Sequence, residues 1–136
     1  MTRISTRLGA ATLSALAALS LAGCGSDLQP VTGKVVYEDG TPVKGGDITF
    51  NSKGRTPAVN ASGNIADDGT FTLKFNGREG AAPGSYKVVV VGKEGYGEGP
   101  AVDGVYGDPL NTPLTQEIVA GKNDLTITVK RPTRKR

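Results

Sequence analysis

The chain contains no histidine and no tryptophan, a single cysteine and a single methionine, the initiator. Without histidine there is no imidazole to act as a general base, so the usual Ser–His and Cys–His nucleophilic arrangements are excluded. With one cysteine no disulfide can form within the chain, and the fold must hold by core packing. The same two shortages remove the usual ligand sets for zinc, copper and iron–sulfur centres. Only three phenylalanines and four tyrosines are present, so the core must be built largely from valine, isoleucine, leucine and alanine. No apolar run after residue 22 is long enough to cross a bilayer as a helix.

Apolar length is concentrated at the start. Arg3 and Arg7 precede a stretch from Leu8 to Ala22, and small residues Ala22 and Gly23 precede Cys24. A basic beginning, a short apolar stretch and small residues at its end predict a secretory signal peptide, residues 1–23. The run Leu21-Ala22-Gly23-Cys24 also resembles a bacterial lipobox. That resemblance implies cleavage between Gly23 and Cys24, thioether lipidation of Cys24 and acylation, for example by palmitate, of its new amine. The alternatives are an ordinary signal peptide with an incidental cysteine, or a tail-less membrane anchor. Removal of residues 1–23 from 136 leaves 113, enough for one domain. Gly25, where an aspartate would mark inner-membrane retention by analogy with familiar two-membrane bacteria, favours the periplasmic face of the outer membrane, with surface exposure also open.

Charge is unevenly placed. Lys130, Arg131, Arg134, Lys135 and Arg136 crowd the last seven residues without an acid, whereas residues 24–129 carry nine cations and thirteen acids. The sequence pI of about 9.1 therefore describes the ends more than the domain, and nucleic acid is not an expected partner. Pro132 should stop the last strand, so residues 131–136 are expected as a disordered basic tail. It is either a contact for anionic headgroups or envelope polymer, or a solvated end.

From Val31 onward the apolar period is two. Val31, Gly33 and Val35 alternate with Thr32 and Lys34; Ile48 and Phe50 share a face; Phe71, Leu73 and Phe75 alternate with threonines and Lys74; Leu125, Ile127 and Val129 do the same. Further strands are expected weakly around 58–61, strongly at 85–91, and at 115–119. Residues 25–30 form a short tether, 77–84 a loop, and 92–113 one long irregular segment. About seven short strands with Gly and Pro turns predict an all-β antiparallel sandwich over 31–130.

Two stretches carry a resemblance. Val31-Thr-Gly-Lys-Val-Val-Tyr-Glu-Asp-Gly-Thr-Pro-Val43 with Gly46-Asp-Ile-Thr-Phe50 forms the first, and Asp68-Gly-Thr-Phe-Thr-Leu73 with Ala82-Pro-Gly-Ser-Tyr-Lys-Val-Val-Val90 the second. In order and spacing they resemble carboxypeptidase regulatory-like domains, as found in small lipoproteins of planctomycete-type bacteria. The resemblance implies a transthyretin-like seven-stranded sandwich, no catalytic residues, and Tyr86 as a corner tyrosine with its ring in the core and its hydroxyl on loop backbone.

Candidate chemistry is sparse. Ser52 and Lys53 are adjacent, so on a strand they point to opposite faces. Asp67-Asp68, with Asp103 and Asp108, offers too few oxygens for calcium unless the long segment folds back to them. Gly95-Tyr-Gly-Glu-Gly99 lacks the strand-to-helix setting of a phosphate loop, and no cofactor is expected. A Lys34–Asn123 isopeptide assisted by Glu117 would follow from similarity to collagen-adhesin domains, although Lys34 alternates toward solvent. Tyr96 and Tyr106 in the long segment are candidate glycan contacts. Val88 to Val91 are four apolar residues in succession, so both faces of that strand need cover. Either the 92–113 segment supplies it, or Val89 and Val91 contact an envelope partner or a second copy. The expected function is a non-catalytic, lipid-anchored structural or protein-interaction module. The alternative is a glycan or small-ligand module using the 92–113 loop.

Overall fold

A computed structural model describes residues 28–93 and 101–133. The chain forms β1 (Val31–Tyr37), β2 (Gly46–Ser52), β3 (Asn60–Asn64), β4 (Thr70–Thr72), β5 (Lys74–Phe75), β6 (Arg78–Glu79), β7 (Gly84–Gly92), β8 (Thr115–Ile118) and β9 (Asn123–Val129). They make two sheets, one of three strands in the order β4-β1-β9 and one of six in the order β6-β5-β3-β2-β7-β8. The protein is an all-β sandwich. Among the described residues, none lies in a helix able to cross a membrane.

Alternation sorts side chains between core and solvent. Val31, Val35, Phe71, Ile127 and Val129 of the smaller sheet are buried with Ile48, Phe50, Ala61, Tyr86, Val88, Val90 and Ile118 of the larger one. Phe50 holds the centre, its ring centroid 6.4 Å from Phe71 in the other sheet and 5.9 Å from Tyr86 on the neighbouring strand. Both pairs are tilted, a favourable geometry for aromatic rings. Tyr86 donates its hydroxyl to the Ala82 carbonyl at 2.6 Å, so it is buried without stranding a polar atom. Burial raises its phenol pKa.

Among the described residues all strand pairings but one are antiparallel. β1 and β9 run parallel in unbroken register, from Val31 opposite Asn123 to Tyr37 opposite Val129. β9 follows β8 of the other sheet, so no hairpin ties it to β1 and nothing forces an antiparallel pair.

The alternating run at 70–75 serves both sheets. Thr70–Thr72 pairs with β1, whereas Lys74 pairs with Ser62 of β3. Leu73 is the fully buried corner, donating its N–H to Val31 and accepting from Gly80 through its carbonyl. The expected loop at 77–84 begins instead as a hairpin. Asn76 and Gly77 both have positive φ, 49° and 79°, and join β5 to β6, as a two-residue Asn-Gly turn does. The division at Leu73 and the short β6 explain why nine strands stand where about seven were expected.

Gly33 shows how tightly the smaller sheet closes. A Cβ there would lie 2.4 Å from the Leu125 carbonyl oxygen and 2.7 Å from the Phe71 ring. Gly104, by contrast, has open space around it. Gly33→Ala should therefore cost about 1–3 kcal/mol in urea unfolding. Gly104→Ala should stay within about 0.5 kcal/mol.

Candidate functional site

The segment after β7 returns onto the domain. Tyr37 donates its hydroxyl to the Ala101 carbonyl at 2.8 Å, and the Asp103 N–H donates to Lys130 at 3.0 Å. Asp103 caps a single 3-10 turn, Gly104–Gly107, that packs on β7. Farther on, the Thr112 hydroxyl donates to the Val88 carbonyl at 2.7 Å, and Lys87 donates to Leu110 at 3.2 Å. Gly92 lies so close to Ala101 and Val102 that a Cβ would fall 2.9 Å from each. Val102 joins the core through this return.

Two of the candidate contact residues are buried by this packing. Tyr106 is 6% exposed and belongs to the hydrophobic core, so it is not a ligand contact. Val89 is only 9% exposed, the returning segment being packed along its strand, and so is no partner contact. Val91 remains 52% exposed. Tyr96, the other loop tyrosine, lies outside the described residues, as do Gly23 and Cys24.

The acids serve as turn formers. Asp39, Asp68, Asp103 and Asp108 each accept the backbone N–H two residues ahead, from Thr41, Thr70, Val105 and Leu110 at 2.8–3.0 Å. The Asp39 pKa is lowered to about 2, chiefly by the Thr41 backbone N–H, then by its side chain and by Arg131. Asp68 is lowered by the Thr70 hydroxyl and N–H, and Asp108 by the Leu110 N–H and the Asn111 amide. Among the described residues no three metal-ligating side chains gather.

The isopeptide geometry does not form. Register places Lys34 opposite Thr126, three residues along from Asn123 and on the exposed side. Asn123 is buried, and its amide donates to the Val119 and Gly121 carbonyls while its oxygen accepts from the Val119 N–H. Its role is to clamp the turn between β8 and β9. Glu117 stands exposed on β8 of the other sheet. Ser52 accepts from the Val59 N–H at 2.8 Å, while Lys53 is exposed.

Two poles follow from the parallel pair. At one, Gln29 forms a two-way backbone bridge with Ala81, and its side chain accepts from the Gly121 N–H at 2.8 Å. The expected tether is therefore shorter by its last two residues, since Gln29 and Pro30 are already fastened to the domain. Arg55 donates to the Pro83 carbonyl at 2.8 Å, and Lys53 donates its backbone N–H to Ser85. Loops 53–58, 78–83 and 119–122 thus converge where residue 28 enters. They carry Lys53, Arg55, Arg78 and Lys122, all exposed, against one acid, Glu79. Val119 beside them is 54% exposed.

At the opposite pole β9 ends beside Tyr37. Lys130 lies 3.6 Å from Glu38, and Arg131 lies 2.9 Å from Asp39 with its guanidinium 3.9 Å above the Tyr37 ring. The domain thus extends through Arg131, and two of the five tail cations are engaged by it. Arg134, Lys135 and Arg136 lie outside the described residues. These exposed ion pairs are individually weak.

A shallow groove of about 870 Å³ runs along the side where β4 leaves one sheet for the other. Thr32, Thr72, Ser62, Asn64, Lys74 and Asp124 line it with polar groups.

Two outcomes check these assignments. Tyr106→Ala should lose about 3 kcal/mol of stability, as truncation of a core aromatic does. The acids set a pH dependence: their folded pKa values lie below the ordinary 3.8, so their stabilisation is present above about pH 4. It is lost as pH falls toward 2, and the thermal midpoint should drop across that window, less steeply in Asp39→Asn.

No protein-family model, curated protein or solved structure matches this chain.

Proposed function

We propose that the chain is a lipid-anchored, non-catalytic module of the cell envelope, with a sandwich of the transthyretin-like, carboxypeptidase regulatory-like kind. It would act in structure or in contact with an envelope protein or another copy. The observation that carries this reading is the nearness of domain to Cys24. Gln29 is already bonded into the sandwich, so acyl chains on Cys24 would hold the domain within about 15 Å of the bilayer. Two or three chains give stable anchoring where one does not. Gly25 after the cysteine favours the outer membrane. The non-catalytic reading draws on the engagement of Ser52 and of four aspartates in turns.

A second reading, a small polar ligand such as a glycan, moves from the long segment to the groove between β3 and β4. It is favoured by the row Thr32, Thr72, Asn64, Lys74 and Asp124. Glycan titration should then lose its signal in Asp124→Ala and Lys74→Ala, with unfolding unchanged.

Intact mass of the protein from native membranes tests the anchor. A chain starting at Cys24 with added acyl mass is expected, together with loss of membrane partition in Cys24→Ser. An unmodified mass would contradict it.

A further inference from the structure

The cations that matter for a membrane are not the ones clustered in sequence. The basic tail leaves from the pole that holds Tyr37, and its first two cations face Glu38 and Asp39. The five residues beyond Arg131 reach about 17 Å at most. β9 alone, seven residues from pole to pole, spans about 20 Å.

The pole that receives the upstream chain has a different surface. Lys53, Arg55, Arg78 and Lys122 come from three loops far apart in sequence and gather at the end where Gln29 enters, with Glu79, Glu117 and Asp124 as the acids of that end. In the same place the Val119 side chain is exposed, at the turn that Asn123 clamps from beneath. The opposite pole carries Glu38, Asp39, Asp67, Asp68 and Asp103 together with Lys44, Lys93, Lys130 and Arg131. Lys53, Arg78 and Lys122 make no ion pair among the described residues, whereas Lys130 and Arg131 at the opposite pole face acids.

We propose that this pole, with Lys53, Arg78, Lys122 and Val119 at its surface, seats the domain directly on anionic lipid headgroups. The proposal rests on the reading that Cys24 carries lipid. The four residues between Cys24 and Gln29 span about 15 Å at most and leave the pole within headgroup reach, where each cation adds about fivefold to surface partitioning. Val119 enters the interfacial layer between them. The domain then stands upright, and the opposite pole and the Val91 edge face away from the membrane.

The test uses the full acylated chain in vesicles of zwitterionic lipid, with or without a third of anionic lipid. A spin label is placed at Val119→Cys or, at the far pole, at Asp67→Cys; native Cys24 is blocked by its thioether. Exposure to a water-soluble nickel relaxant is read for each. On anionic vesicles the label at 119 should lose several-fold in nickel exposure, and the label at 67 should not. High salt should restore it, because these charges are screened within a Debye length. Replacing Lys53, Arg78 and Lys122 together with Glu should abolish the protection; these exposed side chains make no bond to another described residue. Equal exposure of 119 on both vesicle types, in protein that floats with them, would overturn the proposal. Equal protection on both would overturn its electrostatic basis. Protein that fails to float and has unacylated mass would overturn the anchor, and the proposal with it.

Discussion

The parallel pairing of β1 with β9 is the constraint on which the rest depends. β1 is the central strand of its sheet, and its register with β9 is unbroken over seven residues. A slip by one residue would turn Thr32 and Lys34 into the core and Val31 and Val35 to solvent. Gly33 lets the Leu125 carbonyl and the Phe71 ring close on the strand, and Asn123 fixes where β9 begins. Because the pair is parallel, the first strand starts and the last strand starts at one pole, and both end at the other. The entry of the chain and its exit are thereby separated by the height of the domain.

That separation organises the surface. Polar side chains in the loops are largely committed to turns: four aspartates to the amides ahead of them, Asn123 to its own turn, Ser52 to Val59. The long segment after β7 is likewise committed, pinned by Tyr37, Thr112 and the Lys130 carbonyl and packed on β7. What stays uncommitted is unevenly placed: Lys53, Arg78, Lys122 and Val119 around the entry, and a hydroxyl- and amide-lined groove on one side.

Much of the fold was legible because alternation reports directly on a half-buried sheet. Val31–Val35, Phe71–Leu73 and Ile127–Val129 sit as their spacing demands, and the run Val88–Val91 signalled cover on both faces of β7, which holds for Val89 and not for Val91. The change of sheet at Leu73 was not legible, since a strand keeps its period of two while it turns a corner. The same continuous alternation hid the Asn76-Gly77 hairpin, a turn signal at the end of an apparent strand. The parallel pair was invisible because pairing direction is set by topology rather than by side-chain pattern. The cationic pole was invisible for the same reason: four residues scattered from 53 to 122 have no linear signature, whereas the tail had one. Tyr106 looked like a loop residue because a 3-10 turn carries no recognisable period, and only the fold of the segment buries it.

The most direct test of this account is the distance between entry and exit. Spin labels at Leu28→Cys and Thr133→Cys in the Cys24→Ser chain can be measured by pulsed dipolar spectroscopy. Parallel pairing predicts a separation beyond about 20 Å, the rise of the seven-residue strands between them. A separation within about 10 Å would mean that the first and last strands run antiparallel, and would contradict both the topology and the polarity drawn from it.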